Sequence, residues 1–135
     1  MVRVANVIGS TVLAMLMAVV ESAGQVDDRV RTVETAASAN ASTLEGKSYE
    51  DKVGKAFGRD QSASVQQCAK SSSKVALSDF DLFLRVNTDG VVEDVLVRPA
   101  STLSTCVQGR LAKWRVPAPA RPDYWVKIAV RLRPR

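Results

Sequence analysis

The segment Phe80–Arg98, FDLFLRVNTDGVVEDVLVR, limits the fold more than any other part of the chain. Phe80, Leu82, Leu84 and Val86 alternate with Asp81, Phe83 and Arg85, the period-2 pattern of a strand with one buried face. Asn87-Thr88-Asp89-Gly90 supplies turn chemistry, because Asn and Asp bond their own backbone and Gly adopts positive φ freely. Val91, Val92, Val95, Leu96 and Val97 form the return strand. Its apolar phase slips between Val92 and Val95, which leaves room for a β-bulge. A hairpin of this kind needs other elements to cover its apolar face.

Two elements downstream are suited to that. Ser101 or Ser104 opens a helix in which Leu103, Cys106, Val107, Leu111 and Trp114 make an apolar stripe. Arg115-Val116-Pro117-Ala118-Pro119 ends it, since proline neither donates nor continues the turn. Tyr124–Arg133 is then the cleanest strand. Tyr124, Val126, Ile128, Val130 and Leu132 face one way, and Trp125, Lys127, Ala129, Arg131 and Arg133 the other.

Upstream, Ser48–Lys70 reads as helix, with Ser48 as cap and Glu50 and Asp51 favouring the positive helix end. Tyr49, Val53 and Phe57 share a face, as do Val65 and Cys68. Gly54 and Gly58 each cost about 1 kcal/mol relative to Ala. The segment is therefore either one helix or two, with a break near Gly58 and Asp60 capping the second. Residues 25–47 read as a linker, in which Val26, Val30, Val33 and Ala37 have the spacing of a short helix. Asn40-Ala41-Ser42 within it is a glycosylation sequon by pattern. Residues 1–24 have the layout of an export signal: Arg3, an apolar run from Val4 to Val20, then small residues ahead of Gln25. The alternative is an uncleaved anchor, although the run is at the short limit for a bilayer. Either way the expected location is the periplasm or the exterior, anchored to the inner membrane if the segment is kept.

The domain is thus placed at residues 48–135. Its order is helix, strand, strand, helix, strand. The expected fold is α+β, an α-β-β-α-β two-layer sandwich whose three-stranded antiparallel sheet carries two helices on one face.

Composition narrows the function classes. There is no histidine, which removes the commonest general base and metal ligand. Two cysteines cannot make a four-thiolate site. No catalytic set, cofactor or metal site is expected, and the chain is read as non-enzymatic. The formal charge is +5, concentrated after residue 109, where eight Lys or Arg face Asp123 alone. That suits either a solvated basic surface or an acidic partner. Export argues against nucleic acid.

The element order and local motifs resemble the TonB C-terminal-like family, in the short periplasmic form similar to the C-terminal domain of myxobacterial gliding-motility type proteins. The matching features are the apolar strand before Asp89-Gly90, Val95-Leu96-Val97, Ser101, Cys106-Val107, Leu111 and Trp114-Arg115-Val116-Pro117-Ala118-Pro119, closed by the last alternating strand. Cys68 matches a cysteine that the family carries late in its first helix. Coverage runs from about Asp60 to Leu132. The resemblance implies the fold and a habit of binding through a strand edge.

Two site expectations follow. Cys68 and Cys106 sit in an exported chain, where paired thiols oxidise, so a disulfide is expected between the two helices. Trp125, Lys127, Arg131 and Arg133 form the outward face of the last strand. If that strand is an edge, it accepts another strand by main-chain pairing and selects an acidic protein or peptide of the envelope. The same cations serve equally to block unwanted edge pairing. The expected function is a protein-binding module. The alternatives are a structural subunit of an envelope assembly, homo-oligomeric or mixed, and a small inhibitor of an extracellular enzyme. Trp114 is expected in the core, and Asp79, Asp81, Asp89, Glu93 and Asp94 are not expected to work as acid–base pairs.

Overall fold

The computed structural model describes residues 28–73 and 77–132. The expected export signal or anchor at 1–24 lies outside the described residues, as does Arg133. The chain divides into two compact units, 1–32 and 33–135. In the first, the described residues 28–32 are helical.

Among the described residues, three helices and a three-stranded antiparallel sheet make an α+β fold. Helix α1 covers residues 28–41, α2 is Leu44–Lys70 and α3 is Thr102–Arg110. The strands are β1 (Phe80–Val86), β2 (Val92–Arg98) and β3 (Tyr124–Val130). Their order is β2-β1-β3, so β1 is central and both other strands are edges. Where the sequence suggests a linker to residue 47, the chain is helical on both sides of Ser42-Thr43. Thr43 rather than Ser48 caps α2, its hydroxyl accepting from the Gly46 amide at 3.0 Å. Gly46 is required there because a Cβ would lie 1.6 Å from the Asn40 carbonyl oxygen. The tight junction thus fixes the end of α1 against the start of α2. Helix α2 also runs unbroken past Gly58. Val53, Ala56, Phe57, Gln61 and Cys68 are buried along it, and their packing outweighs the glycine cost.

The hairpin turn forms as its residues dictate. The Asn87 side chain accepts from the amides of Asp89 (3.0 Å) and Val91 (2.9 Å), and Gly90 adopts φ 81°. Arg85 pairs with Asp94 while Val86 pairs with Val92, so Glu93 is the extra residue of a bulge. Ser101 caps α3 through a capping box with Ser104. The helix stops at Arg110. Lys113 turns through φ 65°, and Trp114 lies beyond the helix. Its indole donates to Asp60 (3.2 Å) and its ring meets Phe57 edge-on at 6.0 Å. Arg59 and that indole hold the Asp60 carboxyl below the usual range.

The main core lies between one sheet face and the helices α2 and α3. It contains Phe80, Leu82, Leu84, Val86, Val92, Val95, Val126, Ile128, Val53, Leu103, Val107 and Leu111. Each such side chain contributes on the order of 1.5–3 kcal/mol by leaving water. The Cys68–Cys106 disulfide joins the C-terminal end of α2 to α3 across this core, with the Cα atoms 5.8 Å apart.

The other sheet face is not left to water. Phe83 points there and is fully buried. Residues 33–41 of α1 lie against that face. Glu34 pairs with Arg98 of β2, and Asn40 bonds the backbone of Trp125 in β3. Val33 and Ala37, on the same helical stripe, are buried. The sheet therefore has a helix on its second face as well, where the sequence suggests helices on one face only.

Candidate functional site

The sheet's two edges differ in how much backbone remains to be paired. On β2, the outward groups of Val92 are taken: its amide donates to the Trp114 carbonyl at 2.9 Å, and its carbonyl accepts from Lys113 at 3.1 Å. A bridge between Val91 and Arg115 extends this closure. At Val95 the amide donates to the Asp94 carboxylate at 2.9 Å, and the carbonyl accepts from the Gln108 side chain at 2.6 Å. Side chains and the loop after α3 thus close this edge at Val92 and Val95, while the backbone of Val97, turned the same way as Val95, has no hydrogen-bond partner among the described residues.

On β3, the Trp125 carbonyl accepts from Asn40 Nδ2 at 3.0 Å and so points away from β1. Residues two apart in a strand share that direction, which turns the backbone of Lys127 and Ala129 outward too. Among the described residues those outward groups have no hydrogen-bond partner. The open part of the edge begins after Trp125, because Asn40 occupies its carbonyl. Asn40 is held in turn by Arg121, whose guanidinium donates to Asn40 Oδ1 at 2.5 Å.

The side chains beside this edge carry a compact charge network. Asp81, on the central strand, accepts from Arg131 at 3.2 Å and lies 3.7 Å from Lys127 Nζ. Two cations share one largely buried carboxylate. Arg98 pairs with Glu34 and sits over the Phe83 ring at 5.8 Å. The hydrogen bond from Arg98 holds the Glu34 carboxyl below its usual range, and Arg98 and Lys127 add charge attraction. Glu34 and Asp81 face Arg98, Lys127 and Arg131, so the network is net positive by one charge. The sequence-predicted residues Trp125, Lys127 and Arg131 therefore come together on one strand face. That face is partly roofed by α1 and partly neutralised by Asp81.

Sequence reasoning missed Asn40, Glu34 and Arg121 as neighbours of this strand. Phe83 is the signal that could have found α1: it is the one apolar residue among Asp81 and Arg85, and it requires cover.

A recess of about 630 Å³ lies at the start of α2, lined by Tyr49, Lys52, Pro119, Arg121 and Tyr124. Its polar groups are largely satisfied within the fold. Tyr49 donates to the Pro117 carbonyl at 2.8 Å and meets Tyr124 edge-on at 5.0 Å, and Arg121 covers the Tyr124 ring at 5.5 Å. Burial, then the neighbouring Tyr124, push the Tyr49 hydroxyl above its usual range, so it stays a neutral donor.

The hairpin carboxylates hold structure. Asp79 accepts from the Leu132 amide at 2.7 Å, Asp94 from Val95, and Glu93 lies 3.8 Å from Arg85. Among the described residues no cluster of three metal-ligating side chains occurs, and no helix is long and apolar enough to cross a membrane. No family model, curated protein or solved structure matches the chain.

Proposed function

We propose that the chain is a non-enzymatic, periplasmic or secreted protein-binding module that pairs its β3 edge with an extended segment of an envelope protein. The observation that carries this reading is the asymmetry of the edges. The β2 edge is closed at Val92 and Val95, while β3 leaves the outward backbone of Lys127 and Ala129 unpaired. An unpaired edge is a template for strand addition, in which main-chain bonds supply affinity and flanking side chains supply selection. Lys127 and Arg131 beside it favour acidic partners. The resemblance to TonB C-terminal-like domains supports the same mode of binding.

A photo-crosslinking residue at position 129 of the full-length protein tests the proposal in envelopes of the native host. The expected adduct is with a different envelope protein, and it disappears when Lys127→Glu and Arg131→Glu are added. Adducts only between identical copies would replace this reading with the structural-subunit one. A module that forms no adduct at position 129 does not use this edge.

A further inference from the structure

Alongside the open β3 edge runs a groove of about 450 Å³, bounded on one side by Lys127, Ile128 and Ala129 and on the other by α2. The α2 wall is built around Gly54 and Gly58, one turn apart. A Cβ placed on either would meet no atom within 4 Å, so neither glycine is imposed by packing within the fold. Both cost helix stability relative to alanine, and neither has a positive φ that would require glycine. Gly46 and Gly90 differ in this respect, since a Cβ there meets backbone oxygens at 1.6 Å and 2.2 Å. Gly109 in α3 is equally open but is not on this groove, whereas Gly54 and Gly58 line the side of it that a strand added to β3 would pass.

We infer that this groove receives an apolar side chain of an incoming acidic strand, so that the partner is an extended segment with acidic and apolar residues alternating. The inference rests on the strand-edge reading above. Side chains of an added strand alternate between the two sheet faces. Those opposite Lys127 and Ala129 project to the face of Lys127 and Arg131, where the network is net positive, and acidic residues match it. The residue between them projects to the Ile128 face. It enters the space between Ile128 and the glycine wall, beside Phe57; Glu50, Asp51 and Lys55 also line the groove, and the two carboxylates there disfavour an acidic residue at this position and leave it to an apolar one. Asn40 closes the Trp125 carbonyl, so pairing runs from Lys127 towards Arg131 and is short. A second copy of this chain is a poorer occupant. Its β3 brings another Lys127 and Arg131 to a face that already carries them.

The test uses the full-length, disulfide-bonded protein and capped seven-residue synthetic peptides titrated by calorimetry. One peptide alternates Glu and Val, a second has Lys in place of Glu, and a third has Gly in place of the central Val. The Glu/Val peptide is expected to bind. The Lys peptide and the central-Gly peptide are each expected to bind at least about tenfold more weakly. Gly54→Leu/Gly58→Leu fills the groove with better helix formers, so its melting temperature should rise while its affinity for the Glu/Val peptide falls at least about tenfold. Ala129→Pro removes an outward amide that the fold does not use and should abolish binding without unfolding the sheet. Unchanged affinity in the leucine variant, with binding lost in Ala129→Pro, would overturn the groove and leave the edge reading standing. Binding that survives Ala129→Pro would overturn both. Failure of the Glu/Val peptide to bind overturns the assigned partner chemistry. Self-association abolished by the leucine variant would make a second copy the occupant.

Discussion

Replacing both cysteines, Cys68→Ala/Cys106→Ala, should remove a large share of the stability. The bridge spans a sequence separation of 38 residues and encloses the β1–β2 hairpin. In the loop-entropy model a closed loop of that size restricts the unfolded chain by about 4 kcal/mol at 25 °C. Cys68 is completely buried, so alanine also leaves a sulfur-sized gap, worth roughly 1 kcal/mol. The sum, about 5 kcal/mol, is comparable with the whole stability of a domain of this size. Urea unfolding followed by far-UV circular dichroism checks it, comparing the oxidised protein, the same protein with reductant, and the double variant. The reduced and double-alanine forms should unfold at much lower denaturant than the oxidised form, and close to each other. A loss below about 1 kcal/mol in both would refute the argument that this bridge restrains the unfolded chain.

Three further outcomes are expected. Phe83→Ala should cost about 3–5 kcal/mol in denaturant unfolding, because Phe83 is fully buried beneath α1; a cost below about 1 kcal/mol would mean that the second sheet face is open. Gly90→Ala should destabilise by more than the roughly 1–2 kcal/mol of left-handed strain, since its Cβ would also lie 2.2 Å from the Val116 carbonyl oxygen; a near-neutral melting curve would contradict the close approach of these loops. The Glu34 carboxyl is held below its usual range by Arg98, so the stability it contributes is present above the ordinary carboxylate value and lost as pH falls through the lowered one. Melting temperatures from about pH 6 to about pH 2 should fall less steeply in Glu34→Gln than in the parent, and identical slopes would argue against the Glu34–Arg98 pair.

The elements that the sequence predicts well are those specified by neighbours in the chain. The hairpin follows from strict alternation and an Asn-Thr-Asp-Gly turn, and its phase slip marks the bulge at Glu93. Ser101 is legible as a cap because its partner is Ser104, three residues on. The boundaries around α1 are harder, because Ser, Thr and Asn suit both linkers and helix caps. Thr43 ends one reading and begins the other. The continuity of α2 past Gly58 depends on Phe57, Gln61 and Cys68 finding cover from distant elements, which local propensity does not report. The candidate site is half legible for the same reason. Trp125, Lys127 and Arg131 are visible as one strand face. Asn40, 85 residues from Trp125, and the sharing of Asp81 between Lys127 and Arg131 depend on sheet order and on where α1 lies.

Lys127 and Arg131 can serve either to guard the edge or to recruit a strand, and the geometry makes these one property. A guarding lysine works by carrying charge into any contact that would bury it. Here both cations share the Asp81 carboxylate, and the other carboxylate that attracts Lys127, Glu34, is already paired with Arg98. Partly exposed ion pairs of this kind are worth at most about 1 kcal/mol each, so they cannot offset the desolvation that an apolar or basic strand would impose. A strand bearing carboxylates supplies the missing partners, and Asp81 can then be shared or left to one cation at little cost. The sign of the incoming charge decides whether the edge repels or accepts. The β2 edge lacks this choice over most of its length: Asp94, Gln108 and the Lys113–Trp114 backbone already hold the outward groups of Val92 and Val95, so a new strand there would have to displace bonds within the fold to pair beyond Val97. The strand addition we propose is therefore placed at β3, and in that proposal the residues that protect the edge from unwanted pairing are also the ones that set the charge of the partner.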